Sequence, residues 1–202
     1  MNYIIFALNY ALAATLQPGP FQAYIISQTL KKGWRKTLYI AFAPLFSDIP
    51  ILILIFFILT NLSPSFINVL RIIGGLFLFY LTYKTYLSWK NYSYTEEYEN
   101  SIGTFFNAVL VNLLNPNPYI GWSLVMGPTV LEIWSKSQSL AIAFIACFYV
   151  AIVICTMGII FLFSFARSIG PKISRTLLGI SAIGLFIFGC YQIYKGITIF
   201  IT

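Results

Sequence analysis

NYALAATLQPGPFQAYIISQ, residues Asn9–Gln28, is apolar along most of its length but carries Gln17-Pro18-Gly19-Pro20 in its middle. A proline inside a helix removes a backbone donor and clashes with the preceding turn, which costs roughly 3 kcal/mol or more. Two prolines and a glycine at this point therefore predict a helix that is broken near its midpoint.

The composition indicates that this broken helix lies in a membrane. Of the 202 residues, 59% are hydrophobic and 8% are charged, whereas a soluble domain carries about 25% charged residues. A chain with so few charges has too little polar surface to cover itself in water. We therefore expect a membrane protein rather than a soluble domain.

Long apolar runs give the predicted membrane spans. A helix that crosses about 30 Å of hydrocarbon needs about 20 mostly apolar residues. These runs lack the period-two alternation of strands in a membrane barrel. The sequence thus predicts an all-α, multi-pass protein with six transmembrane helices, within Tyr3–Leu30, Thr37–Leu62, Phe66–Trp89, Ile102–Val125, Leu140–Ala166 and Arg175–Ile199.

The connections between these segments differ in charge, and this difference predicts the orientation. The second connection has no charge, and the fourth has only Glu132 and Lys136. Because basic loops stay in the cytoplasm, we expect both termini to lie outside. The asymmetry also accounts for the net charge of +7, so no nucleic-acid partner is indicated. Most basic residues lie in or beside the first, third and fifth connections: Lys31, Lys32, Arg35, Lys36, Lys84, Lys90, Arg167, Lys172 and Arg175.

A polar stretch, residues 91–101, divides the chain into two halves. We expect one transmembrane domain over residues 1–202, with repeat one at residues 1–90 and repeat two at residues 102–202. Each half has three predicted helices. An odd number of helices means that the second half enters the membrane from the opposite side.

The two halves also share a motif at the same depth. Pro116-Asn117-Pro118 lies in the first helix of the second half, as Pro18-Gly19-Pro20 lies in the first helix of the chain. Opposed entry and matched breaks together predict two inverted three-helix repeats with broken first helices. For either break alone, a kink that only shapes helix packing is the alternative.

Transporters of this architecture bind their substrates near the midplane, where paired broken helices meet. The freed backbone groups are costly in lipid and must face protein or a water-filled cavity. There, helix N-termini attract anions such as a carboxylate. The expected substrate-binding residues lie at and beside the two breaks: Gln17, Pro18, Gly19, Pro20, Gln22, Asn112, Asn115, Pro116, Asn117, Pro118 and Trp122.

Asp48 is the acidic residue deepest in any predicted span. It follows Thr37 by about 16 Å of helix, near the middle of the membrane. An ionisable group at this depth is costly and is a functional-site hypothesis by default. We expect Asp48 to be the proton-coupling residue. The alternatives are a carboxylate that binds a substrate ammonium group and a carboxyl group with a structural role.

Three of these features carry a family resemblance: the Pro-Gly-Pro at residues 18–20, Asp48, and Asn115-Pro116. With them, the chain resembles the LysE/RhtB-type amino-acid exporters, small translocators of the bacterial inner membrane, over nearly its whole length. The resemblance implies a secondary transporter in that membrane. Gln17 and Phe21 stand where the family usually has Thr and Asn, so no particular substrate carries over.

No Walker motif or other catalytic constellation is present in the sequence, so we expect neither an enzyme nor a cofactor. The expected function is export of amino acids or similar small zwitterions by proton antiport with alternating access, with the lipid bilayer and the solute as partners. Transporters of this size often pair, so a homodimer is a further expectation. A membrane scaffold is the main alternative.

Two other transporter classes are less favoured. A thiol-redox transporter needs cysteines in the broken helices, and Cys147, Cys155 and Cys190 lie in the fifth and sixth segments. A metal transporter needs several ligands together, but the chain has no histidine.

Overall fold

A computed structural model describes residues 2–58, 64–91 and 101–198. Within these ranges the chain is helical and has no strand. Short 3₁₀ turns occupy Trp34–Lys36 and Leu38–Phe42, and a π-turn occupies Trp122–Met126. The α-helices are α1 (Tyr3–Leu16), α2 (Pro20–Lys32), α3 (Ala43–Ile58), α4 (Pro64–Lys90), α5 (Ser101–Leu113), α6 (Pro116–Gly121), α7 (Gly127–Lys136), α8 (Gln138–Ile169) and α9 (Pro171–Ile197).

The helices correspond to the predicted segments, with one marked difference. The first segment is α1 and α2, and the third, fifth and sixth segments are α4, α8 and α9. The second segment begins with a 3₁₀ turn before α3. The fourth segment was expected to end near Val125, but its helical path runs on through α7 to Lys136. The charged residues of the predicted fourth connection therefore lie on a helix.

Two of the described helices, Gln138–Ile169 and Pro171–Ile197, are long and apolar enough to cross a membrane. Three shorter apolar helical stretches occur at Tyr3–Leu16, Leu38–Ile53 and Ile102–Leu113. The all-helical architecture is confirmed for the described residues, and the six-span inverted repeat stays a prediction. Residues 92–100 of the predicted linker, residues 59–63 of the second connection and the chain beyond residue 198 lie outside the described residues.

Small residues let α4 and α9 pack closely. A Cβ on Gly75 would lie 2.9 Å from the carbonyl oxygen of Gly189, and one on Gly189 would lie 2.7 Å from the Phe79 ring. Close approach through glycine is typical of helix pairs in membranes, where apolar burial gives little net attraction between helices. On the other face of α4, a Cβ on Gly74 would lie 2.6 Å from the carbonyl oxygen of Leu114. This contact seats α4 against the unwound backbone between α5 and α6.

The basic connections meet at one end of the protein, which we call the basic end. Here Trp34 packs against Phe161 of α8 with tilted rings, and the Arg175 guanidinium of α9 lies over Trp89 of α4. Lys32 is buried in the last turn of α2 and donates to the Thr104 hydroxyl. The shared end agrees with the charge pattern on which the predicted orientation rests.

The opposite end, which we call the terminal end, carries an exposed charged network. Glu132 accepts hydrogen bonds from Lys136 at 2.6 Å and from the Tyr3 hydroxyl at 2.9 Å. These two donors, Lys136 first, lower the pKa of Glu132. The network joins α1 to α7, and its exposure means that it contributes little to folding.

Two apolar cores lie along the axis between these ends. One, nearer the terminal end, includes Trp122, Met126, Ile133 and Phe144. The other, nearer the basic end, includes Tyr24, Ile25, Leu81 and Ile160. Buried polar side chains from four helices and from the segment between α5 and α6 lie between the cores, beside both helix breaks: Thr15, Ser47, Asp48, Asn112, Asn115 and Thr156.

Candidate functional site

The first helix is broken between Leu16 and Pro20, as the sequence predicts. Pro18 disfavours the helical conformation in the residue before it, and Gln17 has extended angles of φ −60° and ψ 121°. Gly19 is also extended, and the helix restarts with Pro20, whose missing N–H costs nothing at a first helical position. Local proline chemistry thus accounts for both sides of the break.

Gln22 bridges this break. Its side-chain amide donates to the carbonyl oxygen of Thr15 at 3.1 Å and to that of Ala14 at 3.4 Å. These carbonyls belong to the last turn of α1, where a helix leaves its acceptors without partners. The amide of Gln22 therefore satisfies backbone groups that the break frees.

The second break lies between Leu113 and Pro116. The Asn115 side chain accepts a hydrogen bond from the Asn117 backbone N–H at 3.1 Å and so caps α6. The Tyr119 hydroxyl donates to the Leu113 carbonyl at 2.9 Å. As at the first break, a side chain from the following helix reaches back to a carbonyl at the end of the preceding one.

A cavity of about 110 Å³ touches both breaks. Five amide side chains and one carboxylate supply much of its polar lining, and aromatic and aliphatic side chains form most of the rest. Its lining includes Tyr10, Ala14, Thr15, Gln17, Gly19, Phe21, Gln22, Pro44, Asp48, Asn112, Asn115, Asn117, Pro118, Gly121, Trp122, Met126, Phe148, Ile152 and Thr156.

Asp48 is 4% exposed and is held by donors from three other elements. Its Oδ2 accepts from the Trp122 indole N–H at 3.1 Å and from the Tyr149 hydroxyl at 3.0 Å. Its Oδ1 lies 3.4 Å from the Asn112 amide nitrogen, which also donates to the Ser47 hydroxyl at 2.7 Å. A buried carboxylate is tolerated only with such partners, so the site is arranged around this one acid.

A family model for the LysE type translocators matches residues 12–196. The chain belongs to the LysE type translocator family. The match includes both breaks and Asp48, and it confirms the resemblance that these residues carry. Members of this family are membrane transporters rather than enzymes. No curated protein and no solved structure matches the chain.

Nine of the residues expected to form this translocator's site line the cavity. They come from α2, α3, α5, α6, the π-turn and both breaks: Gln17, Gly19, Gln22, Asp48, Asn112, Asn115, Asn117, Pro118 and Trp122. Pro18, Pro20 and Pro116 are not among the lining residues. The last two occupy the first turns of α2 and α6, and Pro18 sets the backbone of Gln17, so all three shape the breaks.

Tyr149 donates to Asp48 although it is not among the residues that line the cavity, and the sequence does not reveal this contact. It lies in the middle of α8, in a continuous apolar run, and it contacts Asp48 from 101 residues along the chain. A tyrosine in such a run gives no local signal of a buried carboxylate partner. The one indication in the sequence is indirect: a buried carboxylate such as Asp48 needs hydrogen-bond donors, and some of them must come from other helices.

The π-turn beside Trp122 is also absent from the sequence prediction. Its backbone bond runs from the Gly127 N–H to the Trp122 carbonyl, five residues back rather than four. The signal is Gly127-Pro128, a breaker pair inside an apolar helix. Pro128 has no N–H for the Leu124 carbonyl, and its ring would clash with that carbonyl in a regular α-helix.

Proposed function

We propose that this chain is a secondary transporter that exports amino acids or similar small zwitterionic metabolites across the bacterial inner membrane. Proton antiport drives the export, and access alternates between the two sides. The observation that carries the proposal is the cavity in which the two helix breaks meet around Asp48. A scaffold protein has no use for paired breaks with a buried acid between them, so this geometry favours a transporter.

The carboxylate of Asp48 has room for a cationic group. An ionised carboxylate offers about four acceptor positions, and the three donors from Trp122, Tyr149 and Asn112 occupy three of them. One acceptor position remains for a proton or for the ammonium group of a solute. Competition between these two for the same carboxylate is the physical basis of antiport at this site.

The N-terminus of α2 supplies the complementary anion site. Gly19 gives α2 no side-chain cap, so the backbone N–H groups of Phe21 and Gln22 have no partner within the helix. Both residues line the cavity. The partial positive charge of a helix N-terminus favours a carboxylate. A zwitterion with its ammonium group near Asp48 and its carboxylate near Phe21 therefore matches the polarity of the cavity.

The cavity volume supports a small solute. At about 110 Å³, it is smaller than the roughly 150 Å³ cavity that accepts benzene in other proteins. Asp48 is the charged side chain in the cavity lining. A solute with a further charged side chain would have no counter-charge there.

The two apolar cores support alternating access. One core lies on the side of the polar layer toward the terminal end, and the other lies on the side toward the basic end. Opening either core would connect the cavity to one face while the other face stays sealed. The breaks provide hinges, since α1 and α2, like α5 and α6, are separate rods joined by two or three unwound residues.

We also propose that the six apolar segments are two inverted three-helix repeats with both termini outside. The matched breaks and the collection of basic residues at one end support this topology. The shorter helices α1, α2 and α5 are then halves of spanning helices.

The test is efflux of labelled amino acids from cells with and without the protein. Cells are loaded with a panel of amino acids, and the loss of each is followed after dilution. We expect at least one small neutral amino acid to leave faster when the protein is present, and a protonophore to abolish the difference. Equal efflux of every amino acid tested, with the protein present in the membrane, would contradict the proposal.

A further inference from the structure

The π-turn controls which way Trp122 faces. Adding one residue to a helical turn rotates the helix before the turn relative to the helix after it by about 100°. The segment after the turn is fixed by Met126, Val130 and Ile133, which are buried in the core nearer the terminal end. A return to regular α-helix that leaves these three residues in place would therefore move Trp122, which is buried in the same core.

Gly127 is what allows the turn to form. A Cβ at this position would lie 2.5 Å from the carbonyl oxygen of Trp122, a distance that real Cβ atoms do not adopt. That oxygen is a backbone atom in the π-turn's own closing bond, so it cannot move away without opening the turn. Any side chain at residue 127 thus opposes the π-turn.

The turn matters because of the bond that Trp122 makes. Its indole N–H is 3.1 Å from Oδ2 of Asp48, and its ring packs against Phe148 and Tyr149. A rotation of about 100° would carry the N–H out of reach of the carboxylate. Asp48 would then keep Tyr149 and Asn112 as donors but lose the donor contributed by the second broken helix.

We propose that Gly127 is a positioning residue for Asp48 that acts through Trp122: by permitting the π-turn, it holds the indole N–H on the carboxylate. The inference rests on the proposed role of Asp48 in the transport site. It adds a residue that touches neither the cavity nor the carboxylate. It also explains why the chain has a π-turn at this point, because a regular helix would rotate the Trp122 indole away from Asp48.

The test is infrared spectroscopy of the Asp48 carboxyl group in the full-length protein, purified into lipid vesicles. The absorption of the protonated carboxyl group is assigned by its loss in Asp48→Asn. The pH at which half of this absorption appears is then measured in each variant. Trp122→Phe keeps an aromatic ring and removes the N–H, and Gly127→Ala opposes the π-turn.

We expect Gly127→Ala to shift this midpoint in the same direction as Trp122→Phe and by a similar amount. The double variant should shift no further than either single variant, because both remove the same hydrogen bond. Gly158→Ala is the matched control, since a Cβ at Gly158 meets no atom within 4 Å, and it should leave the midpoint in place. A wild-type midpoint in Gly127→Ala, or additive shifts in the double variant, would overturn the proposal.

A rescue variant covers the case in which Gly127→Ala fails to fold. Leu124 is 72% exposed, and its deletion removes the extra residue of the turn, while Pro128→Ala removes the ring that would clash in a regular α-turn. Trp122 and Met126 can then keep their places in a regular α-turn. We expect Gly127→Ala with Pro128→Ala and Leu124 deleted to fold and to restore the wild-type midpoint. If this variant folds with a shifted midpoint, or fails to fold, the π-turn is not how Gly127 acts.

The infrared measurement does not depend on any transported solute. If no amino acid is exported but the midpoint shifts of Gly127→Ala and Trp122→Phe are not additive in the double variant, the proposed function fails and the role of Gly127 stands. If export is found and Gly127→Ala leaves the midpoint in place, the role of Gly127 alone is refuted.

Discussion

Asp48→Asn separates the proposed proton-coupling role of Asp48 from its structural role. The substitution keeps the shape of the side chain and removes both its charge and its titration. The new amide oxygen can accept from Trp122 and Tyr149, as Oδ2 does now. The new amide nitrogen takes the place of Oδ1 and faces the Asn112 amide nitrogen, so two donors meet.

The structural cost of this change is modest. One buried donor left without an acceptor costs about 1–3 kcal/mol, and a flip of the Asn112 amide recovers part of it. This is a fraction of a typical folding free energy of about 5–15 kcal/mol, so we expect the variant to insert and fold. Asp48→Leu would instead leave three buried donors without an acceptor, at about 1–3 kcal/mol each. We expect this variant to misfold and to be absent from the membrane.

The functional effect is large by comparison. If one proton is exchanged per solute, a gradient of one pH unit supplies about 1.36 kcal/mol and supports roughly tenfold accumulation. In Asp48→Asn we expect an accumulation ratio of about one, whatever the gradient. Exchange of labelled for unlabelled solute should persist if Asp48 only couples, and should also fall if Asp48 binds the ammonium group.

The assay is uptake of labelled amino acid into proteoliposomes with an imposed pH gradient. Glu132→Gln is the matched control, since it removes an exposed carboxylate outside the cavity and should accumulate solute as the wild type does. Tenfold accumulation by well-folded Asp48→Asn would refute the coupling role. Loss of accumulation in Glu132→Gln would show that any missing acid has this effect.

Three further predictions follow from the breaks, the packing and the charges. Replacing residues 18–20 with alanine should restore a continuous helix and abolish export while the protein still inserts, as efflux and membrane immunoblots would show. Gly74→Ala drives a Cβ to 2.6 Å from the Leu114 carbonyl and should cost about 1–3 kcal/mol, measured as a lower melting temperature in detergent. Gly103→Ala, where a Cβ meets nothing within 4 Å, should melt as the wild type does. A reporter fused after Thr202 should be active only outside.

Each of these predictions has a contradicting result. Normal export by the variant with alanine at residues 18–20 would show that the break is only a kink that shapes helix packing. Equal melting temperatures for the Gly74 and Gly103 variants would show that α4 does not depend on close packing against the unwound backbone at Leu114. Reporter activity in the cytoplasm would overturn the orientation and the inverted repeat with it.

The breaks could be predicted from the sequence because proline acts locally. Pro18, Pro20 and Pro116 restrict their own and neighbouring backbone whatever surrounds them. The same holds for Asp48, since a carboxylate deep in an apolar segment needs partners in any fold. Polar residues within a turn of a break, such as Asn112, were then natural candidates for the site.

The rest depends on contacts between distant parts of the chain. Tyr149 is a half-buried aromatic in an apolar helix until the fold brings it to Asp48. The fourth segment was cut short because Glu132 and Lys136 look like loop residues, yet they pair across one turn on the exposed face of α7. Gly127-Pro128 indicates an irregular helix in the sequence, but the position of the π-turn depends on the buried residues that follow it.

Substrate protection of a cysteine placed in the cavity tests the central claim most directly. Ala14 lines the cavity beside the first break, so Ala14→Cys is made in a chain whose three natural cysteines are replaced. The rate of its reaction with a small thiol reagent is measured in membranes, with and without the amino acid that the efflux panel identifies. The account predicts that this amino acid slows the reaction and that one not exported has no effect. An unchanged rate at saturating concentrations of an exported amino acid would show that the solute binds elsewhere.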